Sequence, residues 1–215
     1  MPRGIAIPQL RQQLFTAVEA LILRPAKLTG RAVTTEAGVA AGLLYAHFTD
    51  LDDFLTAYAV DRTFTVSAAA AALPEPGLGD PAGNISATLQ AIPRAALSAL
   101  ARLQVLHPDL APNVEAVLGD KGFDAIERAL AAYLKAEGEL GRFDGDPEAL
   151  APALVAVLHH TALTGDERLP RTVEALVSPG GRRPRAPRTP AGSRSAGPSD
   201  GPSRVRGSDP AGPEG

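Results

Sequence analysis

The sequence predicts an all-α protein, and three observations support this prediction. The composition is 45% hydrophobic but only 4% aromatic, and the alanine and leucine that dominate it favour helices. Apolar residues recur at helical spacing, as in Leu10, Leu14, Val18 and Leu21. No segment alternates apolar and polar residues as a half-buried strand does, and no repeat is present. A chain of 215 residues is long enough for one core with a small satellite domain.

The helices can be placed along the chain from their spacing and their capping residues. One is predicted over residues 9–23, after Pro8, and another starts at Leu51, where Asp50 is placed to cap it. Residues 73–84 are predicted to form a loop and a domain boundary. Four further helices are expected: one from about 85 to 106, bent or broken near Pro93, one around 126–134, one opened by Asp146 and Pro147, and a short one over 168–177.

Charge is distributed unevenly between three parts of the chain. Residues 1–50 carry five basic and three acidic side chains. Residues 51–178 carry nine basic and eighteen acidic side chains, and residues 179–215 carry seven basic and three acidic ones. A mildly basic N-terminal region on an acidic body suits a protein that touches a polyanion with one end. Ordinary surface variation gives a similar balance. The last part, from residue 178, is rich in proline, glycine and arginine, and we expect a disordered tail.

Several classes of protein are not expected from this sequence. The absence of cysteine excludes disulfides and thiolate metal sites. We find neither a signal peptide nor an apolar run of about 20 residues, so a soluble cytoplasmic protein without a membrane partner is expected. No nucleophile motif, phosphate loop or paired-carboxylate motif is present, which argues against an enzyme and a cofactor. His159 and His160 would point about 100° apart on a helix, so we expect no metal there.

One segment combines a helix, a glycine turn and a second helix. Thr29 is placed to cap a short first helix, and Gly38 supplies the positive φ of a sharp turn. Residues 40–48, "AAGLLYAHF", are predicted to form the second helix, with Leu44 and Phe48 pointing inward. This is the helix-turn-helix pattern, which places its second helix in the major groove of DNA. A short helical hairpin in any all-α protein looks similar.

The segment "LTGRAVTTEAGVAAGLLYAHFTDLDDFLTAYAVDR", residues 28–62, resembles the N-terminal domain of TetR-type bacterial transcriptional repressors. The shared elements are the Thr29 cap, Ala37-Gly38-Val39, Gly42 and Leu44-Tyr45-x-His47-Phe48. With the helix at 9–23, the resemblance covers roughly residues 9–65. It implies a three-helix DNA-binding domain over 1–50 and a helical domain over 51–177. In the family, the second domain binds a small ligand and dimerises, usually through its last two long helices.

The resemblance also implies roles in DNA binding for particular residues. Thr29 would bind a phosphate from the helix start, aided by the helix dipole, and Arg31 would lie near the DNA backbone. Tyr45 and His47 would reach phosphates and position the protein without specifying sequence. The residues on the groove-facing side of the recognition helix are Ala40, Ala41, Gly42 and Leu43.

The chain departs from the family at positions that contact bases and phosphates. The family often has serine, lysine and threonine in place of Ala40, Ala41 and Leu43, and lysine in place of Leu51. Alanine and leucine can touch a thymine methyl but cannot hydrogen-bond a base edge. The alternative for Leu43 is to pack against the neighbouring helices.

We therefore expect a homodimeric DNA-binding transcriptional regulator, a repressor that binds a palindromic operator and responds to a small apolar effector held between helices. The alternative is a helical ligand-sensing or protein-interaction module of the same fold that has lost specific DNA binding. The alanine-rich recognition helix and Leu51 favour this alternative, whereas compensation by Arg11, Arg31 and the arginine-rich tail would favour the regulator. The apolar helix over 149–163 fits the centre of a monomer or half of a dimer interface, and the resemblance favours the dimer.

Overall fold

The computed structural model describes residues 7–24, 27–120 and 123–178. Within these ranges the chain is all-α, with ten helices, one 3₁₀ turn at Pro108–Leu110 and no strand. The helices are α1 (Ile7–Ile22), α2 (Gly30–Glu36), α3 (Gly42–Tyr45), α4 (Leu51–Ala70), α5 (Pro81–Ala91), α6 (Arg94–Leu106), α7 (Ala111–Leu118), α8 (Asp124–Glu139), α9 (Pro147–Thr164) and α10 (Leu169–Val177). The predicted tail lies, apart from Ser178, outside the described residues. None of the described helices is both long and apolar enough to cross a membrane.

The apolar residues at helical spacing in the N-terminal region form the buried face of α1. Leu10, Leu14, Val18 and Leu21 are all buried, as their spacing predicts. Phe15, next to Leu14, is buried as well, which widens this face. It packs against α2 and α6, so α1 belongs both to the N-terminal helices and to the body.

The longest helix, α4, begins where the capping residue predicts. The side chain of Asp50 accepts a hydrogen bond from the amide of Asp53 at 2.8 Å, and the Asp53 side chain accepts one from the amide of Thr49 at 2.8 Å. These bonds satisfy amides that would otherwise lack partners at a helix start. The helix then buries Phe54 and Tyr58 completely, and it packs against α5, α6, α7 and α8.

The predicted loop over 73–84 is too long by four residues, because α5 already begins at Pro81. Asp80 caps this helix by accepting a hydrogen bond from the amide of Gly83 at 2.7 Å. An N-cap aspartate followed by proline is a helix start, the same signal that correctly places the start of α9 at Asp146 and Pro147. The loop itself is held by Glu137, a fully buried side chain that accepts a hydrogen bond from the amide of Gly77 at 3.1 Å.

The helix expected over 85–106 is two helices, separated at Pro93. Ile92, the residue before the proline, has extended backbone angles (φ −61°, ψ 130°), as the ring of a following proline requires. Its side chain is nevertheless buried. The break lets α6 turn and pack against α1, α4 and α9, which brings the body into contact with the N-terminal helices.

Helix α9 is apolar around most of its circumference, but only one face is buried within the chain. Ala151, Leu154, Leu158 and Ala162 form the buried face, which lies on α6 and α8. A different face, with Ala149, Pro152, Ala156 and His160, is exposed. The chain therefore leaves one largely apolar side of α9 uncovered.

Candidate nucleic-acid interface

The start of α2 is built as its sequence predicts. Thr29 has an extended backbone, and its Oγ1 accepts a hydrogen bond from the amide of Ala32 at 3.1 Å. The hydroxyl of Thr34 donates to the carbonyl of Gly30 at 3.0 Å, and Val33 is fully buried. These contacts give the seven-residue helix a defined orientation, although a helix of this length is barely stable in isolation.

The turn after α2 is made by glycine in a left-handed conformation. Gly38 has φ 67°, a value that costs little for glycine but strains most other residues. The amide of Val39 donates to the carbonyl of Thr34 at 3.0 Å, which reverses the chain direction. Val39 is half-buried against the core, so the corner is closed by an apolar side chain, as predicted.

The second helix of the motif is shorter than expected. The prediction extends it over residues 40–48, whereas α3 contains only Gly42–Tyr45. Ala41 precedes it without any side-chain cap. At its other end the amides of His47 and Phe48 both donate to the carbonyl of Leu44, at 3.1 and 3.0 Å. The helix ends there because Phe48 turns inward, where its ring meets that of Phe54 edge-on at 5.1 Å.

Tyr45 lies across the start of α2. A Cβ atom built on Gly30 would be 2.3 Å from the Tyr45 hydroxyl oxygen, so only glycine leaves room for this placement. The side chain is still 55% exposed. Gly30 directly follows Thr29, and the two hydroxyl-bearing side chains therefore lie at the same end of α2. The contact between Gly30 and Tyr45 joins the two helices of the motif. No spacing pattern in the sequence indicates it.

Two joints with side-chain hydrogen bonds connect the α1 region to α4 and α6. At the first joint, Glu19 Oε2 accepts hydrogen bonds from the hydroxyl of Tyr58 at 3.1 Å and from Nε of Arg62 at 2.8 Å. Burial, with a smaller contribution from the Glu19 carboxylate, raises the pKa of Tyr58, which keeps its hydroxyl a hydrogen-bond donor. At the second joint, Nη1 of Arg102 on α6 donates to the carbonyl of Leu23 at 3.1 Å.

A cavity of about 420 Å³ lies between α4, α6 and α7. Ala59 lines the cavity from α4. It lies within one helical turn of Tyr58 and Arg62, the α4 residues of the first joint. Leu100 and Leu103 contribute from α6, on either side of Arg102. Helices α4 and α6, which hold α1, therefore also line the cavity, together with α7.

Solved structures share this arrangement of helices. A TetR-family transcriptional regulator from Agrobacterium tumefaciens has a TM-score of 0.62 at 16% identity, over 80% of this chain and 99% of the other. The TetR-family regulator PfmR from Thermus thermophilus has a TM-score of 0.58 at 18% identity, over 75% and 93%. The chain has the TetR fold. FadR from Bacillus subtilis, in complex with stearoyl-CoA, has a TM-score of 0.54 at 14% identity, over 77% and 94%. Neither a family model nor a curated protein sequence matches this chain.

In this TetR fold, most of the residues proposed to contact DNA are exposed. They come from the start of α2, the loop before α3, α3 itself and the residues that follow it, and they are here called the recognition surface. Leu43 differs from the others, because it is half-buried and packs against the core. Thr29 is half-buried too, since it caps α2, whereas the other proposed residues are exposed: Arg31, Ala40, Ala41, Gly42, Tyr45 and His47.

The positive charge next to the recognition surface comes from α1. Arg11 is exposed, and it shares a small recess with His47 and Phe48. Its guanidinium also lies 5.0 Å from the centre of the Phe15 ring, a cation–π contact that orients it. In the TetR fold this residue lies beside α3, a proximity that its position in the sequence does not indicate.

The two adjacent histidines of α9 occupy different environments. The His159 ring meets the Phe123 ring edge-on, with centres 5.6 Å apart, and burial lowers the pKa of His159. His160 is exposed. Across the ranges that the structure describes, no group of three potential metal-ligating side chains is close enough to hold an ion.

Proposed function

We propose that this protein is a DNA-binding transcriptional regulator that represses its target by binding operator DNA as a homodimer. The observation that carries this proposal is the contact between Tyr45 and Gly30 in a TetR fold. It holds the Tyr45 hydroxyl beside the capped start of α2 while leaving the side chain exposed. The Tyr45 side chain thus lies against both helices of a helix-turn-helix unit, whose relative orientation matters for placing the second helix in a groove.

The proposed contacts divide into those that position the protein and those that touch bases. Tyr45 and His47 donate hydrogen bonds to phosphates, and Thr29 does so from the other helix of the motif. Arg31 and Arg11 add charge near the DNA backbone. The groove-facing residues are small, so their contacts with bases are apolar, with thymine methyl groups as the partners. These residues are Ala40, Ala41 and Gly42, with the exposed part of Leu43.

The proposed homodimer forms through the uncovered side of α9. This side is mostly apolar and includes Ala149, Pro152 and Ala156. α10 packs beside α9, and its Leu176 is 40% exposed. A two-fold arrangement would place two recognition surfaces about one DNA turn apart, roughly 34 Å, as a palindromic operator requires.

The proposed effector is a small apolar molecule in the cavity between α4, α6 and α7. FadR from Bacillus subtilis was crystallised with stearoyl-CoA, but no lysine or arginine lines the cavity of this chain. A highly charged phosphate-bearing molecule would find no cation there to offset the cost of losing its hydration. A cavity of about 420 Å³ is in the usual range for small ligands.

The proposed route from effector to DNA runs through α6. The helix lines the cavity with Leu100 and Leu103, and it holds the end of α1 through Arg102. The next residue after Leu23 is Arg24, which forms an ion pair with Glu36 of α2 at 2.7 Å. An effector that favours a shifted α6 would therefore favour a shifted helix-turn-helix unit, and DNA would be released by a change in populations.

The experiment that tests this function is footprinting of the purified protein on the intergenic DNA beside its own gene. We expect a two-fold-symmetric footprint that survives excess nonspecific DNA. A genome-wide selection of bound fragments covers operators that lie elsewhere. If both methods give only weak, steeply salt-dependent binding without sequence preference, the regulator is refuted and the helical sensor module is favoured.

A pair of glycine variants sharpens this test. Gly30→Ala would displace the Tyr45 hydroxyl and should lower operator affinity about tenfold, the usual effect of losing one charge-assisted hydrogen bond. Gly138→Ala is the matched control, because its new Cβ would be 3.6 Å from the nearest atom, an ordinary contact. The proposed role of Tyr45 predicts that Tyr45→Phe weakens binding similarly, and that Gly30→Ala adds little to it. Equal affinity of Gly30→Ala and the native protein would contradict the role given to Tyr45.

A further inference from the structure

The cavity between α4, α6 and α7 is lined mainly by apolar residues, with a few polar ones among them. Its lining comprises eight apolar residues and three polar ones. The polar residues are Gln104, His107 and Glu115. They come from the last part of α6, the turn that follows it, and α7. None of the polar residues comes from α4, whose contribution to the lining is Ala59.

Apart from His107, Glu115 is the only acidic or basic residue in this lining. Among the residues that the structure describes, none forms a hydrogen bond or ion pair with its carboxylate, and its side chain is exposed. Arg102, which is next to the lining residue Leu103, does not compensate this charge. Its guanidinium donates to the carbonyl of Leu23, on the α1 side of the helix.

The sign of this charge selects between ligands of similar shape. A carboxylate at the exposed edge of an apolar cavity attracts a cation and repels an anion, with a strength that solvent screening reduces to that of a surface pair. A cation held at the rim keeps part of its hydration while its apolar body is buried. The surrounding region has the same sign, since residues 51–178 carry nine bases and eighteen acids. An anionic ligand would meet repulsion both on approach and in the cavity.

We propose that this cavity takes an apolar organic cation, an alkylammonium-type molecule, with Glu115 as the counter-charge at the rim. This inference rests on the proposed function, because it names the chemical class of the effector. It differs from the general expectation of an apolar effector in one respect, which is the requirement for positive charge.

Calorimetric titration of the full chain with three matched probes tests the proposal. The probes are decyltrimethylammonium, 1-decanol and decyl sulfate, each below its micelle or solubility limit. They share an alkyl chain and differ in charge. We expect the ammonium probe to bind about threefold more tightly than the alcohol, the effect of one exposed charge pair, and decyl sulfate to bind most weakly. Equal binding of the ammonium and sulfate probes would overturn the proposal.

Two variants assign the binding to this cavity and this carboxylate. Glu115→Gln should lower affinity for decyltrimethylammonium about threefold and leave affinity for 1-decanol unchanged. Glu174→Gln, an exposed acid on α10, should change neither. Ala111→Trp places a large side chain at an exposed position of the lining and should weaken both probes. A charge preference that persists in Glu115→Gln, or the absence of probe binding to the native chain, would refute the inference.

The design separates this inference from the proposed function. Titrations contain no DNA, whereas footprinting needs no effector. A specific footprint with no ammonium preference would leave a DNA-binding regulator with a different effector. A clear ammonium preference without any specific footprint would leave a cation-binding sensor of the same fold.

Discussion

The two joints that hold α1 differ in how they are built. The joint with α4 combines a carboxylate shared by Tyr58 and Arg62 with a cluster of aromatic rings. Phe15 lies 5.5 Å from the Tyr58 ring and 5.8 Å from that of Phe54. The joint with α6 depends on the single hydrogen bond from Arg102 to the Leu23 carbonyl, together with apolar packing of α1 against α6.

This difference separates a permanent connection from one that can change. Several buried rings and a shared carboxylate must be disrupted together, so α1 and α4 should move as one body. The α6 joint has one hydrogen bond, worth about 1 kcal/mol, in addition to apolar packing that can slide without breaking a polar network. An effector can shift this joint by its differential affinity for two conformations. We therefore regard α4 as the fixed support of the helix-turn-helix unit and α6 as the adjustable one.

The largest effect is expected from removing an aromatic ring of the α4 joint. Phe54 is fully buried between Phe15 and Phe48, so Phe54→Ala should lower the free energy of unfolding by about 3–5 kcal/mol. Denaturant unfolding measures this change. Phe64→Ala on the same helix is the control, because Phe64 is 64% exposed and should change stability by less than about 0.5 kcal/mol. Similar losses for both variants would refute the special role of the aromatic cluster.

A smaller loss is expected from the shared carboxylate. Glu19→Ala removes the acceptor of both Tyr58 and Arg62 in a part-buried site. The free energy of unfolding should fall by about 2 kcal/mol, since two donors lose their partner. Glu36→Ala removes the acid of the ion pair with Arg24, whose side chains are 34% and 54% exposed. Glu36→Ala should lower the free energy of unfolding by less than about 0.5 kcal/mol. Equal losses for Glu19→Ala and Glu36→Ala would show that the α4 joint is no stronger than a surface ion pair.

The α6 joint should respond mainly in local motion. Arg102→Gln removes the hydrogen bond to the Leu23 carbonyl at a cost of about 1 kcal/mol. Amides at the end of α1 and in α2 should then exchange hydrogen about fivefold faster, because this end of α1 opens more readily. Arg94→Gln at the exposed start of the same helix serves as control and should leave these amides unchanged. Unaltered exchange in Arg102→Gln would mean that α6 does not hold α1.

The smallest effect is a pH dependence of the α4 joint. Since the pKa of Tyr58 is raised in the folded protein, its contribution is fully present below the unfolded pKa of about 10 and is lost as pH rises above it. Between pH 8 and pH 10.5 the native chain should lose about 0.8 kcal/mol more stability than Tyr58→Phe. Unfolding at the two pH values measures this difference. Tyr133→Phe is a comparison variant, because Tyr133 has a raised pKa at a different site. This variant should still show the loss of stability at high pH that comes from Tyr58.

The sequence predicts the helices of this protein well where the signal is local. The starts of α2, α4 and α9 follow from Thr29, Asp50 and Asp146, whose side chains cap amides two or three residues away. The start of α5 carries the same capping signal in Asp80 and Pro81. The predicted loop nevertheless extends over this start, because the neighbouring glycines and prolines are typical of a loop. The proposed DNA contacts are predictable in the same way, because they lie within one motif of about 20 residues.

Local periodicity and capping determined the all-α class and most helix positions, because these depend on side chains a few residues apart. The tertiary structure alone decided which residues meet across the fold. Tyr58 is 39 residues from Glu19, and Arg102 is 79 residues from Leu23, so no spacing rule links them. The tertiary structure also decided that the Arg102 side chain points toward α1. Glu115 therefore has no lysine or arginine side chain beside it in the lining of the cavity. The direction of a side chain around its helix follows from the packing of α6 between α1, α4 and α9, which a single sequence does not specify.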